Sequence, residues 1–107
     1  MDIAEYQTKL LELFSEIDKL PNKKEHTKQS ATVHLMEEIG EIARQVTSEY
    51  HRPEKFDKNN LGEELADVIM FIVVLAKLYE IDISNELKDS LGRLDEKIKK
   101  LKMEENS

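Results

Sequence analysis

The 107-residue chain has room for one domain with a small core, and its 39% hydrophobic and 36% charged residues suit a soluble, helix-rich protein. A net charge of −7 argues against a general nucleic-acid binder, and the lack of cysteine excludes disulfides, thiolate metal sites and cysteine nucleophiles. The first twenty residues carry charges throughout and the longest apolar run, 68–76, is too short to span a bilayer, so the expectation is a cytoplasmic protein with no membrane partner.

Asp2 is a suitable N-cap for a first helix, in which Ile3, Tyr6, Leu10, Leu13, Phe14, Ile17 and Leu20 recur at helical spacing. Pro21-Asn22 ends it, and residues 22–29 read as a polar loop. A second helix is predicted over about 30–50, with Val33, Leu35, Met36, Ile39, Ile42, Ala43 and Val46 as its apolar face. A charged connector, 51–60, carries Arg52, Lys55 and Lys58 and leads to a third helix over about 60–79. After a short link at 81–84, Asp82 or Ser84 caps a fourth helix. Its Leu87, Leu91, Leu94, Ile98 and Leu101 form a narrow seam of the coiled-coil kind. No strand pattern and no repeat is visible. The expected fold is all-α, four helices in a single domain over 1–103 with a frayed tail at 104–107.

Two acidic motifs stand out: Glu37-Glu38-Ile39-Gly40-Glu41 and Glu63-Glu64-Leu65-Ala66-Asp67. Residues three or four apart share a helix face, so Glu38 groups with Glu41, and Glu64 with Asp67. Such like-charge pairs cost roughly 0.2–0.5 kcal/mol each. The ordinary reading of a Glu-rich face is that it meets water, and the second helix alone fits it, since Glu37 and Glu41 lie opposite Ile39 and Val46. The third helix argues otherwise. Its Glu64/Asp67 stripe continues into Phe71, Val74 and Leu78, while Leu61, Leu65, Val68, Ile72 and Leu75 fill another side. A helix apolar nearly all round is buried nearly all round, which a chain this short achieves with help from a second subunit. Buried acids need a partner, and no Lys or Arg stands within either motif to supply one. A hard divalent cation meets the need, and all-oxygen ligation suits Mg²⁺ or Mn²⁺ over zinc. A ferritin-like di-iron site is excluded, because none of His26, His34 and His51 has a Glu three residues before it.

These motifs, with Leu35-Met36 before the first, Val68-Ile69 after the second, the apolar run and the Ile81-Asp82-Ile83 link, resemble the all-α nucleoside triphosphate pyrophosphohydrolases of the MazG-like group. The resemblance implies Mg²⁺-dependent cleavage of a nucleoside triphosphate to monophosphate and pyrophosphate, with a possible house-cleaning role. Matched by motif position, Glu38, Glu41, Glu64 and Asp67 would hold the metal, and Glu38 or Glu37 would act as base. It also implies a homodimer or dimer of dimers. Arg93 and Lys97, one turn apart, are candidate phosphate contacts, against the plainer reading of solvated charges on an amphipathic helix. Phe71 is a candidate apolar wall for the nucleotide, or core. His34, on the Glu38/Glu41 stripe, is a candidate partner of the ligands, or surface. The loop keeps His26-Thr27 of a family aromatic-His stretch, and the chain has no Trp to stack a base. Two rival readings are a phosphoribosyl-ATP pyrophosphohydrolase and a non-catalytic helical adaptor.

Overall fold

A computed structural model of the protein describes residues 1–22 and 26–106. Its elements are α1 (Ile3–Asp18), α2 (Lys28–His51), a 3-10 turn (Pro53–Lys55), α3 (Lys58–Leu78) and α4 (Ile83–Glu105). No strand occurs among the described residues, and the chain is all-α as expected.

Every helix starts on a side-chain cap. Asp2 accepts from the Glu5 N–H, Asp57 from Asn59 and Asn60, and Asp82 from Asn85, while Thr27 and Ser30 bond each other's backbone reciprocally. These caps explain two differences from the predicted bounds. The Thr27/Ser30 box starts α2 at Lys28, and Asp57 starts α3 at Lys58, each two residues before the apolar periodicity suggests. Of the expected loop at 22–29, residues 23–25 lie outside the described residues, as does Ser107 of the expected tail. After α3, Glu80 takes a left-handed conformation (φ 57°), which lets the Ile81 N–H bond back to the Ala76 carbonyl at 2.8 Å.

Helices α2 and α3 form an antiparallel hairpin, tied at its connector by the Gln45 side-chain oxygen accepting from the Asp57 N–H at 3.1 Å. The α1 helix lies against α3. Between them and the start of α2 sits a small core of Leu10, Ala31, Val73 and Val74, ringed by Tyr6, Phe14, Met70, Leu75 and Leu78. The start of α4 is fixed to α1 where Gln7 Oε1 accepts from the Ile83 N–H at 3.0 Å. Beyond that point α4 runs out into solvent. Its seam residues are all exposed, Leu91 by 68%. The radius of gyration is 18.2 Å, against about 13 Å for a compact chain of this length.

Candidate metal centre

The hairpin sets α2 and α3 in a register that repeats in steps of one turn. His34 faces Phe71 as a stacked ring pair, centroids 5.1 Å apart and planes 13° apart. One turn further along α2 comes Glu38. Its electrostatic neighbours include Asp67 and Glu64 from α3 as well as Glu41 and Glu37 from its own helix. Burial first, and then these four carboxylates, hold the Glu38 carboxyl above its usual value of 4.5. The two acidic motifs therefore converge on one face of the hairpin.

Glu64 occupies the most constrained position among the acids. It is 7% exposed, the one charged side chain among the buried residues described. Asn60, one turn earlier on α3, donates from its side-chain amide to Glu64 Oε1 at 3.0 Å. The other oxygen, Oε2, is buried without a hydrogen-bond partner. An orphaned buried carboxylate oxygen costs on the order of 1–3 kcal/mol or more, so it calls for a ligand.

Arg44 lies outside the first motif, as the sequence places it, but one turn beyond Glu41 it reaches back and pairs with it. The pair is largely exposed, and pairs of that kind contribute about 0–1 kcal/mol. Drawn to Arg44 and Asn60, Glu41 and Glu64 do not close with the other acids on a single point as they stand. Among the described residues no group of three His, Asp or Glu does. Glu37 points elsewhere: an oxygen of its carboxylate lies 3.5 Å from His34 Nδ1. Glu63 is exposed.

Around the acids the structure adds Tyr6, which the sequence places on the apolar face of the first helix, and His26, which it puts in the loop but not beside the acids. The Tyr6 phenol from α1 is pushed above its usual 10.0 by burial and then by Asp67, which places it beside the second motif. His26 stands edge-on to three rings, with centroid separations of 5.5 Å to Phe14, 5.5 Å to His34 and 5.7 Å to Phe71. Phe71 is thus partly buried in a ring cluster one turn from Asp67. The Asn60–Glu64 and Glu41–Arg44 spacings were readable as helix neighbours; Tyr6 and His26, distant in sequence, were not. Arg93 and Lys97 stay apart from all of this. They line a shallow groove along α4 itself, and α4 leans on α1 rather than on α2 or α3.

Carboxylate oxygens such as those of Glu38, Glu41, Glu64 and Asp67, one of them buried without a partner, have the donor chemistry that a hard divalent ion takes, although the four do not meet at one point in this arrangement. Residues 26–102, most of the chain, match the family model described as the MazG nucleotide pyrophosphohydrolase domain. No curated protein and no solved structure gave a match.

Proposed function

The chain belongs to the MazG nucleotide pyrophosphohydrolase domain family, and on that premise we propose that it is a Mg²⁺-dependent hydrolase cleaving a nucleoside triphosphate between its α and β phosphates. The observation that carries this reading is the buried Glu64 oxygen without a partner, beside an acid cluster that spans both helices. Nothing in an adaptor would require that oxygen to stay unsatisfied.

Glu38, Glu41, Glu64 and Asp67 would hold the ion, Mg²⁺ or Mn²⁺. When bound, such an ion neutralises phosphate charge and makes water more acidic. The residues of the chain supply the rest. Asn60 fixes the Glu64 carboxylate through one oxygen and leaves the second free. Glu41, now paired with exposed Arg44, would have to leave that pair to hold the ion, and Arg44 would then be available to a phosphate oxygen. Proton acceptance from the attacking water falls to Glu38, which stands among the acids, or to Glu37, one residue before it and held by His34. Phe71 and His34 form an apolar step beside the acids. Arg93 and Lys97 would reach phosphates from α4 only in an assembly of copies, a homodimer or a dimer of dimers. The domain would span 1–103, act in the cytoplasm, and serve removal of unwanted triphosphates.

The test is a panel of nucleoside triphosphates and phosphoribosyl-ATP, assayed for pyrophosphate with and without Mg²⁺. Pyrophosphate and a nucleoside monophosphate in equal amounts, only with the metal, are expected. Turnover of phosphoribosyl-ATP alone would move the chain to the histidine-synthesis enzyme, and no turnover of anything would leave the adaptor.

A further inference from the structure

The seam of α4 is an apolar face whose flanking charges say what covers it. The helix is held at its start, where Gln7 accepts from the Ile83 N–H. Beyond that point Leu87, Leu91, Leu94, Ile98 and Leu101 follow in steps of four and three and stand 41–68% exposed. This is the pattern of a two-stranded coiled coil, with Leu91 and Ile98 at its a positions and Leu87, Leu94 and Leu101 at d. We propose that α4 pairs with α4 of a second copy, antiparallel, in the register that sets Leu91 against the partner's Leu94 and Leu87 against the partner's Ile98. The proposal names the face, direction and register by which two copies meet, and it does not depend on the hydrolase reading.

Charge complementarity selects this pairing. The seam is flanked by Lys88, Asp95 and Lys102 at the e positions and by Ser90, Lys97 and Glu104 at g. In a parallel pair each g residue meets the partner's e residue five positions on. Lys97 would then oppose the partner's Lys102 on both sides, and no opposite charges would meet. In an antiparallel pair a twofold axis brings e against e and g against g, so every contact occurs twice. Three registers bury most of the seam, and they differ by one heptad. The first sets Asp95 against the partner's Asp95, Lys97 against the partner's Lys97 and Lys88 against the partner's Lys102. Another sets Lys88 against the partner's Lys88. The register between them sets Lys88 against the partner's Asp95 twice, faces Lys97 with the neutral Ser90, and brings no like charges together. Asp95 already pairs with Lys99 on its own helix at 3.1 Å, but that pair is exposed and gives way at little cost.

Length and field agree with it. The same register lays residues 83–102 along the partner's 102–83, about 30 Å of contact and nearly the whole helix. It also carries the lysines at 97, 99, 100 and 102 to the level at which the partner's α4 leaves α1. Helix α4 holds six basic and six acidic residues, so all of the net charge of −7 lies outside it. Each Lys-rich helix end therefore comes alongside an acidic body, which favours association in this direction.

The experiment is sedimentation equilibrium of the full chain at low salt, with Lys88→Glu, Asp95→Lys and the two combined. Each single reversal sets two like-charge pairs across the seam and should weaken self-association about tenfold. The combined variant restores two opposite-charge pairs and should return the dissociation constant to that of the parent. A spin label on Lys102→Cys, clean because the chain has no cysteine, should give a distance of about 30 Å between copies. A monomeric parent, single reversals without effect, a combined variant weaker than either single one, or labels lying side by side as parallel pairing requires, overturns the proposal. None of these readouts uses turnover, so a chain that cleaves no triphosphate would sink the hydrolase reading and leave this one to be decided by association alone.

Discussion

Glu64 concentrates the chemistry of the hairpin in one side chain. Asn60 satisfies one oxygen of this buried carboxylate, and the other, without a partner, is the one the proposed ion would meet. Glu64→Gln should therefore raise the melting temperature in chelator, by removing a buried charge, while abolishing both pyrophosphate release and the stabilisation that Mg²⁺ adds to the parent. Asn60→Ala, which frees the carboxylate to turn, should weaken the ion by roughly 10–100-fold, read by calorimetric titration. Glu38 makes a pH-dependent prediction. Its folded carboxyl titrates above its unfolded value of 4.5. Its contribution to stability is thus fully present below pH 4.5 and is lost as pH rises through the folded pKa. In chelator, Glu38→Gln should match the parent's melting temperature below that window and exceed it at neutral pH. Equal differences at both ends would mean that the acids do not converge. Much of this residue scale was legible in the sequence, because Glu38, Glu41, Glu64 and Asp67 sit at helix-face spacings. The orphaned oxygen was not, because burial of one carboxylate among four depends on how two helices meet.

At the scale of elements, helix number and order followed from the spacing of apolar residues, and the misplaced starts of α2 and α3 have one cause. The Thr27/Ser30 box and the Asp57 cap act through hydrogen bonds that apolar periodicity does not register. Asp57 is also where the hairpin is tied, through Gln45. Asp57→Ala should cost about 1 kcal/mol in urea unfolding, as cap removal does elsewhere. The face of α3 that carries Glu64 and Asp67 runs on into Phe71 and Val74, and that continuity placed Phe71 one turn from the acids, but not the ring cluster around it. Nor did it predict that His26, just before the Thr27 cap of α2, would complete that cluster.

For the whole molecule, surface area is the informative quantity. The chain exposes 8680 Å², whereas a compact monomer of 12.5 kDa exposes about 6,200 Å². The surplus lies largely on the apolar faces of α2, α3 and α4: Met36, Ile39, Leu65, Ile69, Leu91 and Leu94 are all about half exposed or more. Exposed apolar patches of that extent are the kind that a partner covers, and the proposed homodimer or dimer of dimers would cover these. Light scattering should give a mass at least twice 12.5 kDa, and Leu91→Glu with Leu94→Lys should return the chain to monomer with loss of activity if α4 brings Arg93 and Lys97 to a neighbour's acids. A monomeric parent would leave those two residues as plain solvated charges. The account as a whole turns on whether the paired motifs bind a divalent ion. Counting bound Mn²⁺ per chain by electron paramagnetic resonance, in the parent and in Glu64→Gln, tests this most directly. At least one tightly bound ion in the parent, weakened tenfold or more in the variant, is the expected result; equal binding by the two proteins would contradict it.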